Sequence, residues 1–289
     1  MPRTRAIFVT GASTGIGQAC ALHLHAAGYR VFAGVRKPSD GEGLGSLVSE
    51  GLEWIILDVT ATDQISDAVA RISAMVGEAG LAGLVNNAGI AVGGPLEYLA
   101  PEDLRRQLEV NVIGLHAVTS AFLPLVRLGR GRIVHIGSIS GRLASPLIGA
   151  YTASKHAVEA LTDVLRLELA PEGIHVAVIE PGQVRTPIWT KGLSNFDAFA
   201  ARLPPEGATR YGGRLKVLQR ILERAPLHSS PPEAVARAVS HALESARPRT
   251  RYVVGRDARI RLWLSHLLTD RAMDALILAM FRKVERRLA

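Results

Sequence analysis

A doubly wound α/β fold, a parallel sheet with helices on both faces, is predicted by three features of this chain. Apolar, β-branched runs alternate with longer helical patterns from end to end. A glycine-rich turn follows the first of those runs directly. Polar residues suited to chemistry gather just past the ends of later runs, where open parallel sheets hold their ligands. At 289 residues and 48% hydrophobic, the chain has the apolar material for one large core.

The elements follow in order. Ala6-Ile7-Phe8-Val9 predicts a strand at about 6–10, and Thr10-Gly11-Ala12-Ser13-Thr14-Gly15-Ile16-Gly17 then opens a helical pattern at about 15–27. Further strands are expected at about 30–35, 53–57, 82–86, 131–137, 174–180 and 251–254, giving seven. Helices are expected at about 62–77, 101–126, 151–169 and 232–245, with a weak pattern near 43–50. Pro101 suits a first helical turn, and Pro171-Glu172-Gly173 ends the helix that begins near Tyr151.

The stretch 186–225, broken by Pro187, Pro204-Pro205 and Gly212-Gly213, shows no regular pattern and is expected to be a substrate lid. Ile188, Trp189, Phe196, Phe199 and Leu203 would form its apolar underside. The chain thus divides into an α/β domain at 1–257 and a basic amphipathic tail at 258–289.

In the tail, Ile260, Trp263, Leu264 and Leu267 form one apolar stripe. Met273, Leu276, Ile277, Met280, Phe281, Val284 and Leu288 form another, flanked by Arg271, Arg282, Lys283, Arg286 and Arg287. Charge concentrates here. From Arg247 to the C-terminus eleven Lys/Arg stand against four Asp/Glu, so that stretch carries +7 of the net +8. Such a helix packs on its own domain, across a dimer, or on an anionic membrane surface, and the expected cover is the protein itself.

The single cysteine, Cys20, lies within the first helical pattern and reads as a small buried hydrophobe. Only five residues precede Ala6, and no apolar run approaches the roughly eighteen residues of a membrane span, so a cytoplasmic protein is expected. The pI near 10.1 comes with no nucleic-acid recognition motif, so no such partner is expected, nor any metal site.

The turn at Gly11, Gly15 and Gly17 would let backbone approach a pyrophosphate whose charge the following helix N-terminus would hold. After the fourth strand comes Asn86-Asn87-Ala88-Gly89, and after the fifth Ile136-Gly137-Ser138-Ile139-Ser140. Tyr151 stands thirteen residues past Ser138, and Lys155 four further on, on the same helix face. Pro181-Gly182, Val184 and Thr186 follow the sixth strand. Singly, Ser138 could be a helix cap, Tyr151 a core aromatic and Lys155 a solvated charge. Their common order and spacing favour chemistry.

With these motifs the chain resembles the short-chain dehydrogenase/reductase family over about residues 5–255. The resemblance implies a Rossmann-type domain in which Tyr151 exchanges a proton with the substrate oxygen. Ser138 would orient that oxygen, and Lys155 would lower the phenol pKa and bind the nicotinamide ribose. Asn111 matches the family asparagine that holds a relay water; the other reading is a polar residue capping a helix irregularity.

Cofactor contacts are expected from Gly11, Ser13, Thr14, Gly15, Ile16 and Gly17, from Asn87, Ala88 and Gly89, and from Pro181, Gly182, Val184 and Thr186. Asp58 and Val59 would lie beside the adenine. The second strand ends on Arg36-Lys37 without a carboxylate, which favours NADP(H) over NAD(H), because an arginine pairs with a 2′-phosphate that a carboxylate would repel.

The run Gly34-Val35-Arg36-Lys37-Pro38 and the lid length resemble the hydroxysteroid and retinol dehydrogenase branch, implying a hydrophobic alcohol or carbonyl substrate. The family also implies a homodimer or homotetramer formed through the helices near 101–126 and 151–169. A dinucleotide-sensing regulator or a membrane-surface scaffold on the same fold are the alternative functions.

Overall fold

Seven strands form one wholly parallel sheet in the computed structural model, which describes residues 5–48, 51–188 and 199–286. They are β1 (Ala6–Val9), β2 (Arg30–Val35), β3 (Leu52–Ile56), β4 (Gly83–Asn86), β5 (Arg132–Ile136), β6 (Val176–Pro181) and β7 (Arg251–Val254), in the order β3-β2-β1-β4-β5-β6-β7. Strand order reverses between β1 and β4. That reversal opens a crevice at the carboxyl ends of the strands.

Because successive side chains of a strand point to opposite faces, β1 supplies both halves of the core. Ile7 and Val9 pack with Cys20, Ala21 and Leu24 of α1 (Gly15–Ala26) and with Val235, Val239 and Leu243 of a later helix. Phe8 faces the other way, onto Phe122, with ring centroids 4.6 Å apart. That second layer includes Ile65 and Ile72 of α3 (Thr62–Val76) and Val118 and Val126 of α5 (Leu115–Leu128). Cys20 is buried as expected, and burial pushes its thiol up to about 12.

Several boundaries differ from expectation. The weak helix near 43–50 is instead α2 (Pro38–Gly45), started by Pro38 in its first turn and seated where Gly41 leaves room for the Trp54 ring. The single helix expected at 101–126 comprises α4 (Pro101–Leu108), a π-helical turn (Glu109–Gly114) and α5. This continuous run is long and apolar enough to cross a membrane by composition, with a window of mean hydropathy 1.4. Its buried face is sheet-side core, which explains the apolarity.

The region expected to be irregular holds a long helix, α7 (Pro205–His228), following α6 (Gly149–Leu169) in the helix series. Pro204-Pro205 starts α7 rather than breaking it, since a proline in the first turn forfeits no helical hydrogen bond. Beyond it come α8 (Pro232–Glu244), α9 (Arg256–Leu267) and α10 (Asp270–Glu285). Trp189, Phe196, Arg287 and Leu288 lie outside the described residues.

The tail packs differently from its sequence stripes. In α9 the residues buried against Ile139 and Leu143 are Ala258 and Leu262. Ile260, Trp263 and Leu267 of the expected stripe are 56%, 63% and 62% exposed. In α10, Met273 and Phe281 pack on the domain, while Leu276 and Met280 are exposed.

Candidate active site

The glycine turn sits at the carboxyl end of β1, where the strand order reverses. Gly11 has φ +63°, and a Cβ there would lie 2.8 Å from the Cα of Ala88. A Cβ on Gly17 would stand 2.2 Å from the Gly11 carbonyl oxygen, so this glycine lets α1 close onto the turn. The turn is tied to the exit of β4. Backbone N–H groups of Asn87 and Ala88 each donate to the Thr10 hydroxyl at 3.0 Å. The Asn87 side-chain amide donates to the carbonyls of Thr10 and Gly11 at 3.0 and 2.9 Å.

From this turn a cavity of about 410 Å³ extends to Tyr151. Its wall includes Gly11, Ser13, Thr14, Gly15, Ile16, Arg36, Asp58, Val59, Asn87, Ala88, Gly89, Asn111, Ser138, Tyr151, Lys155, Pro181, Gly182, Val184 and Thr186. Two expected residues are not on it. Gly17 lies one layer behind, and Lys37 is exposed in the extended turn that leads into α2. Arg36, directly after β2, lines the cavity at that strand's end, with no ion-pair partner among the described residues. Asp58 lines the same end while its carboxylate accepts from the Thr60 hydroxyl and N–H at 2.8 and 3.0 Å.

Sequence reasoning missed the apolar wall: Val35, Leu57, Ile90, Val110 and Pro187. Each adjoins an expected polar or glycine residue at a strand or helix end, so position along the element was the available signal.

At the other end, α6 brings Tyr151 and Lys155 onto one face, one turn apart. Ser138 lies two residues past the end of β5, its hydroxyl accepting the Ser140 N–H at 3.1 Å and hydrogen-bonding the Tyr151 phenol. Lys155 Nζ donates to the Ile136 carbonyl at 2.7 Å and lies 5.8 Å from the centre of the Tyr151 ring. Tyr151 and Lys155 are both buried.

Burial governs the electrostatics here. It raises the Tyr151 pKa above its ordinary value, against the expected lowering, and the Ser138 hydrogen bond only partly opposes it. Burial also lowers Lys155 to about 8, with Glu159 one turn along α6 acting the other way. Below that value the ammonium persists.

Asn111 occupies the π-helical turn, a feature frequent at functional sites. Its carbonyl oxygen accepts the Ile90 N–H at 2.8 Å, and its amide donates to the Ile90 carbonyl at 3.0 Å and to Ser154 Oγ at 3.1 Å. The side chain thus clamps the loop after β4 to α6 at the cavity wall.

Tyr151 also belongs to an apolar cluster. The ring packs with Leu147 and Ile148 and with Leu215, Leu218 and Leu222 of α7. Phe281 of α10 and Leu203 back that cluster, and Phe199 rests against Gly94. Glu97 pins α7 to the turn before α4, accepting from the Tyr211 hydroxyl at 2.8 Å and pairing with Arg210.

Comparison with known proteins agrees with this arrangement. The chain matches the short chain dehydrogenase family over residues 5–195. It is 42% identical to human retinol dehydrogenase 5 over 267 residues, covering 89% of this chain and 82% of that protein. It is 39% identical to human 17-beta-hydroxysteroid dehydrogenase type 6 over 272 residues, covering 92% and 86%. An NADPH-dependent 3-dehydrocapnine reductase of Ornithobacterium rhinotracheale is 34% identical over 281 residues, covering 96% and 97%.

Proposed function

The chain belongs to the short chain dehydrogenase family, in its retinol and hydroxysteroid dehydrogenase branch, and from that membership we propose an NADP(H)-dependent oxidoreductase that interconverts a hydrophobic alcohol with its ketone or aldehyde. The observation that carries this reading is one cavity joining the glycine turn to Ser138, Tyr151 and Lys155.

The residues fit a nicotinamide dinucleotide. The Gly11–Gly17 contact leaves a cradle that any side chain would fill, and Thr14 before α1 makes no side-chain cap, so first-turn N–H groups suit a pyrophosphate. Arg36, which makes no ion pair among the described residues, suits a 2′-phosphate, and the NADPH dependence of the 3-dehydrocapnine reductase supports the same choice. When bound, the nicotinamide supplies or accepts the hydride.

The chain's own residues do the rest. Ser138 donates a hydrogen bond to the substrate oxygen and orients the carbonyl carbon. Tyr151, kept protonated by its buried setting, delivers a proton to that oxygen during reduction and recovers it in the reverse direction. Lys155 provides positive charge and a donor for the ribose hydroxyls, and Asn111 keeps the loop after β4 in register with α6, beside the proton path. Leu215, Leu218 and Leu222 exclude water and favour an apolar substrate, such as a retinoid, steroid or long-chain carbonyl.

Ile113 and, on α6, Val164 and Leu167 are exposed on the helices expected to pair, which supports a homodimer or homotetramer. The exposed Ile260, Trp263 and Leu267 support peripheral membrane contact by the tail.

The test is a screen of steroid, retinoid and aliphatic carbonyls read by loss of NADPH absorbance. At least one class should be reduced, and Tyr151→Phe should lower kcat by about 10³-fold or more with NADPH affinity retained. Activity unchanged in that variant, with chemistry rate-limiting, overturns the mechanism.

A further inference from the structure

Beyond the active site, the open edge of the sheet carries an unusual groove. It has a volume of about 380 Å³ and lies between β7, α8 and the start of α9. Four arginines line it: Arg237 of α8, Arg249 before β7, and Arg256 and Arg259 of α9. Among the described residues no carboxylate lines it. Among the described residues none of the four guanidinium groups has an ion-pair partner, although Glu233 is one turn away from Arg237 on α8. Asp257, between Arg256 and the buried Ala258, is engaged elsewhere, accepting the Gln183 N–H at 2.9 Å.

Four like charges around one groove repel each other, and an anion with several acceptor oxygens relieves that repulsion. The neighbouring surface names the source of the anion. On α9, Arg256, Arg259, Ile260, Trp263 and Leu267 follow helical spacing on one exposed face, while Ala258 and Leu262 on the opposite face are buried in the domain. Arginine therefore passes directly into an apolar ridge with an indole in its middle. That sequence of chemistry matches a lipid surface, with phosphate outside, an interfacial aromatic next and hydrocarbon beyond. A second copy paired through this edge would set arginines against arginines, which disfavours it.

We propose that this groove is the docking site for the phosphate headgroups of an anionic phospholipid membrane, with Trp263, Ile260 and Leu267 inserted beside it. The proposal rests on the peripheral-membrane reading of the tail and goes further, assigning the contact to particular residues. Docking by this face would hold the exposed side of α9 on the bilayer while its buried side packs on Ile139 and Leu143, next to Ser138.

Co-sedimentation of the full chain with vesicles tests it. At about 0.1 M salt the protein should bind vesicles of phosphatidylcholine with about 30% phosphatidylglycerol, ignore pure phosphatidylcholine, and be released as salt rises. An arginine near such a surface contributes roughly fivefold in affinity, so Arg249→Gln with Arg259→Gln should weaken binding about 25-fold. Arg71→Gln with Arg105→Gln, the same charge change on α3 and α4, should change it less than about threefold. Trp263→Ser should weaken binding without removing the preference for anionic lipid. Retained NADPH affinity reports that each variant is folded.

Equal losses in the groove pair and the remote pair overturn the groove while leaving membrane contact standing. No vesicle binding by the intact protein overturns both. Inorganic phosphate raising the melting temperature of the intact protein but not of the groove variant, without vesicle binding, would make the groove a seat for free phosphate and overturn the lipid assignment. The oxidoreductase reading is judged separately, by turnover of soluble substrate.

Discussion

Tyr151 and Lys155 share one buried face of α6 and are displaced in opposite directions by the same desolvation. The consequence is a phenol that stays protonated and an ammonium that titrates near neutrality. For carbonyl reduction, kcat/KM for NADPH reports groups of the enzyme before cofactor binds. Below about 8 the Lys155 ammonium is present; as pH rises through that value its charge is lost and kcat/KM should fall. Tyr151, raised above its ordinary value, stays protonated across that interval and adds no limb. Lys155→Arg, permanently charged, should retain part of the activity without the limb; an unchanged limb in that variant would assign it to another group. Elsewhere on the cavity wall, Arg36 is the one cation besides Lys155 among the described residues. NADPH should bind at least about tenfold more tightly than NADH, about 1.4 kcal/mol, and Arg36→Asp should remove or reverse the difference. Calorimetric titration of both cofactors checks this, and equal affinities in the parent would mark Arg36 as an ordinary surface charge.

At the level of elements, the active-site helix is secured by charges behind it. Arg251 of the edge strand β7 reaches Glu159 and Asp163 of α6 at 3.1 and 2.6 Å, and Glu180 of β6 at 3.3 Å. Arg142 meets the buried Glu180 at 3.2 Å. Burial, and after it the neighbouring Glu180 carboxylate, push Glu159 up to about 7. Removing the shared guanidinium leaves two buried carboxylates insufficiently compensated. Arg251→Met should therefore destabilise the protein by about 3 kcal/mol, measured by urea unfolding. The loss should shrink below pH 7, because a proton on Glu159 then replaces the missing charge; a loss independent of pH would mean that packing rather than charge is responsible. On the opposite side of the site, α7 and α10 form the apolar cover. Sequence periodicity alone misread α7, since prolines at 204–205 and glycines at 212–213 break the pattern while packing against Tyr98 and Tyr151 retains the helix.

Across the whole molecule, local chemistry and global placement separate cleanly. The parallel sheet, its seven strands, the glycine turn and the order Ser138, Tyr151, Lys155 were legible from the chain, because continuous apolar runs and fixed short spacings are set by local geometry. So was the cavity wall near the strand ends, because a doubly wound sheet can open only where its order reverses. Other features depended on residues distant in sequence. The pairing of Glu159 with Arg251 joins positions 92 apart, and Phe281 reaches the cluster around Tyr151 only through the fold. The direction of the Tyr151 pKa followed from burial, and the position of Lys37 off the cavity wall and the outward face of Ile260, Trp263 and Leu267 from how the elements pack. The sequence by itself determined which residues could do chemistry and on which elements they stand. Only the tertiary structure decided which of them lose their water and which faces stay exposed, because desolvation is a property of the packed neighbourhood and not of the residue.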